Sequence, residues 1–363
     1  MQRTGTALLP LHGGCCPRWL FEKMQRLGIA ILEVIVRESG PREVLRRLSD
    51  PLWFQSLGCV VGFDWHSSGL TTTLCGALKE GLRGRERDLG LVIAGGKGRV
   101  SRNTPQEIFQ AVERLAWGVE VEELVFKSRM AAKIDNAALQ DGYTLYHHVF
   151  VFTRDGLWAV IQQGLNEANR LARRYHWLGE KVKDMVCEPH AAICCPAKGE
   201  ALNMVAEEAS LSRQVVSSLA RERPERIAGE FKKILEKGVH LALPWRHEIP
   251  RTEYLNKALL KLYEVQPQNF LQVLGVEGVG PKTIRALAMV AEVAYGAPAS
   301  FRDPVRYSFA HGGKDGHPYP VDRNLYQHTL EMLEKALREA KMGRSEKLEA
   351  FRRLSALAGS RTW

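Results

Sequence analysis

Apolar residues recur near the start of the chain at the three- and four-residue steps of a helix. Leu20, Met24, Leu27, Ile31 and Ile35 form one stripe and predict a helix over residues 17–37. A Ser-Gly-Pro break interrupts it, and the same period resumes over residues 41–48. Residues 58–63 are instead a short unbroken apolar run, which predicts a buried strand leading through Asp64-Trp-His-Ser-Ser-Gly69 into a helix that ends near Leu82. A second buried strand is predicted over residues 89–94, followed by the turn Gly95-Gly-Lys-Gly98. Thr104-Pro-Gln-Glu107 has the form of a capping box with proline at the first helical position.

The stretch LYHHVFVFTRDGLWAVIQQ, residues 145–163, predicts a hairpin of two apolar strands around Arg-Asp-Gly. A long helix carrying Asn166, Asn169, Arg170, Arg173 and Arg174 is expected next. Beyond residue 200 the strand signal fades, and helical periods run over about 200–220, 225–237, 252–264, 281–294 and 323–341, with a last one to about 357. The expected fold class is α+β: a mixed α/β domain over 1–199 and an all-helical domain over 200–363, parting after the Pro-Ala-Lys-Gly stretch.

Composition narrows the class of partner. The 363 residues carry a formal net charge of +10, of which +6 lies in residues 201–363, so the charge is spread rather than held in a basic tail. Such a balance favours an anionic partner. The first residues hold too short an apolar run for a secretory signal, and no later run reaches membrane-spanning length. Seven cysteines, with adjacent pairs at Cys15-Cys16 and Cys194-Cys195, do not form a disulfide framework, so a cytoplasmic protein without a membrane partner is expected.

Candidate chemistry begins at LGVEGVGPKTIRALAMV, residues 274–290, where a Gly-Val-Gly turn opens an apolar helix. Glycines let a backbone turn sharply and bring its N–H groups close to a phosphate, and the helix that follows directs its positive end at the same oxygen. Leu271, Leu274, Gly278, Val279, Gly280 and the helix from Pro281 resemble the helix-hairpin-helix family of DNA-binding modules over about twenty residues, roughly 268–294. The resemblance implies phosphate contacts from Gly278, Val279 and Gly280 that grip DNA without reading its sequence. Arg285, Lys314, Arg323 and, from the glycine-rich turn of the first half, Lys97 would extend the grip. Glu277 stands where many members have proline, and Ile284 replaces a small residue.

GHPYPVDRNLYQHTLEML, with Asp322 opening a helix, is similar to the corresponding part of the helix-hairpin-helix base-excision glycosylases. That likeness implies Lys282 as the nucleophile that attacks the sugar C1′ and forms a Schiff base. Asp322 would be its electrostatic and proton-transfer partner. Lys282 and Asp322 lie 40 positions apart, so the stretch between them would be an inserted loop. A DNA glycosylase with AP-lyase activity, needing no cofactor and working among repair-complex proteins, is the preferred expectation.

Two alternatives stand beside it. Asp64 and His66 would share a face on an extended segment. With Asp135, Asp141 and His148, and with His147 and His190 further along, they offer ligands for Mg²⁺ or Mn²⁺ in a metal-dependent nuclease. A non-catalytic DNA-binding scaffold is the other, and RNA remains open as the polymer. Cys187, His190, Cys194 and Cys195 do not repeat a zinc-knuckle spacing. The turns at His12-Gly-Gly, residues 95–98 and His311-Gly-Gly-Lys314 could each form an anion nest, yet none has the order of a nucleotide-binding loop. The whole chain is similar to an archaeal and bacterial family known as domain of unknown function 763. LPLHGGCCPRWLFEKM, LSDPLWFQSLGCVVGFDWHSSGLTTTLCGALKE, AGGKGRVSRNTP and YSFAHGGKDGHPYPVDR carry that likeness, which implies that the glycine-rich stretches and the helical end form one functional unit.

Overall fold

The computed structural model describes residues 16–64, 67–195, 198–236, 252–305 and 323–358. Its centre is an antiparallel sheet in the order β1 (Leu91–Lys97), β3 (Thr144–Thr153), β4 (Trp158–Asn166), β5 (Leu171–Leu178) and β6 (His190–Cys194). β3 and β4 are the expected hairpin, with Phe152 opposite Trp158 and the chain turning at Gly156, whose φ of 80° lies in the left-handed region.

Both faces of the sheet are covered, which is why its strands are apolar without strict alternation. Leu91, Ile93, Val149, Val151, Ala159, Ile161 and Leu178 point to one side. There they meet α1 (Arg18–Ser39), α2 (Pro41–Ser49), α3 (Pro51–Val60) and α4 (Gly69–Leu82), joined by α14 (Arg323–Glu339) and α15 (Arg344–Ala358) from the far end of the chain. Val92, Ala94, Phe150, Phe152, Trp158, Val160 and Trp177 point to the other side. After α5 (Glu86–Leu89) and α6 (Arg99–Arg102), this second layer holds α7 (Thr104–Leu115) and α8 (Val121–Lys133), followed by a π-helical turn at Ile134–Ala138. It continues with α9 (Ser210–Leu219), α10 (Pro224–Glu236), α11 (Thr252–Val265), α12 (Phe270–Gly275) and α13 (Pro281–Tyr295). A small sheet of β2 (Leu139–Gln140), β7 (Glu200–Asn203) and β8 (Ser300–Arg302) ties the two halves of the chain together.

The fold class is α+β, and four local expectations are corrected. Residues 58–60 close helix α3, which Asp50 starts by accepting from the Leu52 and Trp53 N–H groups at 2.9 and 3.0 Å. A helix buried on every side has no polar face, so its sequence imitates an inner strand. Residues 167–170 form the turn after β4, in which Asn166 accepts from Ala168 N–H at 3.0 Å and Asn169 from Leu171 N–H at 3.0 Å, and Arg173 and Arg174 lie on strand β5 rather than on a helix. The segment beyond 200 is not all helical, since it contributes β7 and β8. Finally, the capping box does not form: Glu107 turns away to accept from Gly95 N–H at 2.7 Å and from Lys79 at 2.6 Å.

The fold also does not part at residue 200. One continuous core runs from Val92 to Ala299, and β7 pairs with β2 on one side and β8 on the other. No described helix is long and apolar enough to cross a membrane.

Candidate functional site

The Gly-Val-Gly turn is built from the inside out. Asn269 caps α12 by accepting from Gln272 N–H at 2.9 Å, and Phe270, Val273 and Leu274 bury the helix. Val276 and Val279 are buried too and anchor the turn, while Glu277 and Gly278 between them are exposed and Gly280 is half-buried. Gly278 has φ 87°, a conformation that side-chain-bearing residues rarely adopt. Gly280 is different. Its backbone is extended, at φ −131°, and a Cβ placed there would meet nothing within 4 Å. Neither its conformation nor packing by the described residues requires glycine at 280.

α13 begins at that point with Pro281 in its first turn. The Lys282 and Thr283 N–H groups precede the first possible intrahelical acceptors, and the helix directs its positive end outward over the turn. Lys282 is exposed, whereas Thr283 to Ala291 are buried. A second cation, Lys261 of α11, lies beside Gly278 and pairs with Glu277 at 3.4 Å. The Glu277 carboxylate thus has a partner of its own. Sequence reasoning missed Lys261, because nothing in the chain pattern reveals which face of α11 meets a turn more than ten residues away.

Arg285 takes no part in this surface. It is fully buried, donates from Nε to Gln140 Oε1 at 3.1 Å, and burial lowers its pKa to about 10. Gln140 also donates to the carbonyls of Pro281 (2.8 Å) and Ala137 (2.9 Å), so this pair locks the start of α13 to β2. Arg323 is the first residue of α14. Lys314, Asp322 and His66 lie outside the described residues.

The expected metal ligands do not converge. Asp64 is exposed at the end of the segment after α3. Asp141 accepts from Arg173 Nη1 at 2.8 Å and Tyr175 Oη at 2.7 Å, deep in the small-sheet region. Arg173 also grips Asp303 at 2.8 Å and stacks 4.4 Å from the Tyr143 ring. Burial alone would lower the Arg173 pKa, but the two carboxylates outweigh it and hold the guanidinium charged. Among the described residues, no three His, Cys, Asp or Glu side chains are placed to hold a metal ion. The thiols of Cys187, Cys194 and Cys195 are free, and Cys195 lies 3.1 Å from Tyr143 Oη.

Asp135 and His148 belong instead to one buried chain of hydrogen bonds on the α8 side of the sheet. Asp135, fully buried on the π-helical turn, accepts from Gln162 Nε2 at 2.6 Å and Trp177 Nε1 at 2.9 Å, and its other oxygen meets His190. Gln162 Nε2 also donates to the Ala131 carbonyl at 3.3 Å, which settles the orientation of the amide. Its Oε1 then accepts from His148 Nδ1–H at 2.9 Å. That leaves His148 Nε2 as an acceptor, and the Ser128 hydroxyl donates to it at 2.8 Å. Burial lowers the His148 pKa, in keeping with a neutral ring. His190 opens into a cavity of about 310 Å³ lined also by Lys198, Arg302 and Asp303. Lys97 ends β1 on the surface, its ammonium 6.0 Å from the Tyr146 ring centroid.

A family model described as protein of unknown function, DUF763, matches residues 5–321, and the chain belongs to that family. No curated protein and no solved structure matches the chain.

Proposed function

We propose that this DUF763 member is a DNA-processing protein that holds the sugar-phosphate backbone at the turn from Glu277 to Thr283. The observation that carries the reading is Gly280, a glycine with ordinary backbone angles and open space around its missing side chain. The missing Cβ leaves room for close approach by a ligand. The N–H groups opening α13, with Lys282 and Lys261 flanking them, suit a phosphate oxygen. The formal charge of +10 suits the same polymer.

Base excision is the chemistry proposed at this grip, with Lys282 as the amine. Its Nζ would bond to the sugar C1′ as the C1′–N glycosidic bond breaks, one Nζ proton leaving with the base. The sugar ring would then open at C1′–O4′, O4′ taking the second Nζ proton, and the Schiff base so formed is what a lyase step would resolve. Asp322 is retained as the proposed proton-transfer partner, and no cofactor enters. The nuclease alternative, which would need Mg²⁺ or Mn²⁺, is the weaker proposal because Asp64 and Asp141 stand apart from each other and from the buried chain in which Asp135 and His148 are already hydrogen-bonded.

Two measurements test the two halves separately. Gly280→Val should lower affinity for duplex DNA about tenfold, or ~1.4 kcal/mol, with an unchanged melting temperature. Equal affinity would end the phosphate-grip reading, and an RNA duplex run alongside identifies the preferred polymer. Borohydride should trap a covalent adduct on DNA containing abasic or damaged sites, lost in Lys282→Ala. Salt-sensitive binding with no adduct would leave a DNA-binding protein without excision chemistry.

A further inference from the structure

His190 ends the buried chain of hydrogen bonds that begins at Ser128, and it is the member of that chain that reaches open space. Its side chain is 7% exposed and stands in the wall of the cavity of about 310 Å³. The ring is fixed from behind. Nε2 meets Asp135 Oδ1, the Trp177 ring lies edge-on at 4.7 Å, and the Tyr175 ring lies at 6.1 Å. Nδ1 makes no hydrogen bond to the described residues and, unlike both ring nitrogens of His147, it is not sealed from solvent.

Asp135 decides which nitrogen carries the proton. It is fully buried, and its Oδ2 accepts from Gln162 Nε2 and Trp177 Nε1. A carboxylate only accepts, so the bond at Oδ1 takes its proton from His190 Nε2. The neutral ring then holds its lone pair at Nδ1, on the cavity side. The buried carboxylate also favours the imidazolium that forms when Nδ1 takes up a proton. A lone pair presented to a cavity, with a carboxylate behind the ring, is the arrangement of a general base.

The cavity wall indicates what such a base acts on. Among the described residues it holds no serine, threonine or cysteine, so the proton comes from water rather than from a side-chain nucleophile. Ala192, Ile193, Val205, Ala206, Pro304 and Val305 make much of the wall apolar. Its charges balance, with Lys198 and Arg302 against Glu188 and Asp303. Arg302 pairs further with Glu208 at 2.7 Å, and Asp303 with Arg173 at 2.8 Å. Such a wall suits an uncharged, partly apolar substrate better than a phosphate.

We infer that this cavity is a second catalytic site, which hydrolyses an uncharged carboxylic ester with His190 as general base and Asp135 as its positioning residue. Nδ1 takes a proton from water as the water oxygen bonds to the acyl carbon, and the carbonyl π pair moves onto its oxygen. That pair returns as the ester C–O bond breaks, and the Nδ1 proton passes to the departing alkoxide, leaving acid and alcohol. The turn at 277–283 contributes no residue to this step, so neither reading depends on the other.

The test gives the full chain 4-nitrophenyl acetate and 4-nitrophenyl butyrate in the presence of EDTA. The wild type should show saturable turnover of both, and His190→Gln should lower kcat/KM about a hundredfold or more. Glutamine keeps an N–H donor for Asp135, so that variant should hold the wild-type melting temperature. Nitrogen-15 spectra of the neutral imidazole should show the wild-type His190 proton on Nε2. In Asp135→Asn the amide oxygen stays toward Gln162 and Trp177, the NH₂ group faces His190, and the ring proton should move to Nδ1 with loss of turnover. A purely structural aspartate would not move the tautomer. The inference is overturned if neither ester is turned over, if His190→Gln keeps the wild-type rate, or if the neutral wild-type ring carries its proton on Nδ1.

Discussion

At the scale of single residues, burial keeps three histidines of the central sheet neutral. His147, His148 and His176 all have pKa values lowered by burial, and His176 further accepts at Nε2 from the Arg174 side chain at 2.8 Å. The consequence for stability has a definite sign. A histidine titrating at about 3 when folded and about 6.5 when unfolded binds more protons in the unfolded chain between those values. Its contribution is intact above pH 6.5 and is lost as pH falls through that window. For His147 the loss by pH 5 is about 2 kcal/mol. Urea unfolding at pH 7 and pH 5 should show it, and His147→Asn should make the drop shallower by that amount. If wild type and variant lose equal stability on acidification, His147 is not held neutral.

The same scale shows where site residues hide from sequence reading. Arg285 sits three positions after Lys282 on a helix that looked like a phosphate grip, yet its guanidinium is spent on Gln140 inside the protein. Ser128 carried no motif at all. It became visible only through His148, and His148 through Gln162, whose amide orientation depends on an aspartate 27 positions away. No spacing along the chain encodes such a relay.

At the scale of elements, two glycines show how alike residues serve opposite ends. Gly280 faces open space, whereas a Cβ on Gly81 would lie 2.6 Å from Ile29 Cγ1 and 3.0 Å from the Gln25 carbonyl. α1 and α4 therefore touch closely along Gly81, and also along Gly28, where a Cβ would come within 2.7 Å of Leu78. Gly81→Val should push these helices apart and destabilise the protein by about 1–3 kcal/mol in chemical denaturation. A stability loss under 0.5 kcal/mol would mean that the two helices are free to separate. Amphipathic elements such as α1, α2 and α14 were legible because one face meets water and the period survives. α3 was not, since a helix enclosed on all sides loses its polar face. β5 failed for the converse reason: its successive arginines point to opposite layers, Arg173 to Asp141 and Asp303, Arg174 to Gln55 and Thr71. Charged side chains buried on both faces look solvated until their partners are known.

At the scale of the whole molecule, one sheet separates two helical layers, and each layer draws on distant parts of the chain. α14 and α15 pack beside α1 and α3, and the core on the other face joins Val92 and Phe150 to Leu287 and Ala299. A fragment ending at residue 199 would expose the Trp158 and Trp177 face of the sheet and lose the strand that pairs with β2. Such a fragment should not unfold cooperatively, and broad, featureless amide resonances would be its signature. A sharp thermal transition in that fragment would restore the division near residue 200.

What the chain determined alone was whatever depends on neighbours in sequence: the helices with one wet face, the β3–β4 hairpin, the Gly-Val-Gly turn with its cationic helix, the basic balance and the family likeness. These follow from local period and turn chemistry, which act within a few residues. Tertiary structure alone decided which polar side chains meet and which face solvent. It turned Arg285 inward, joined Ser128 to Asp135 through two other residues, and carried one core across residue 200. Burial and pairing depend on residues far apart in sequence, and only the folded chain brings those together.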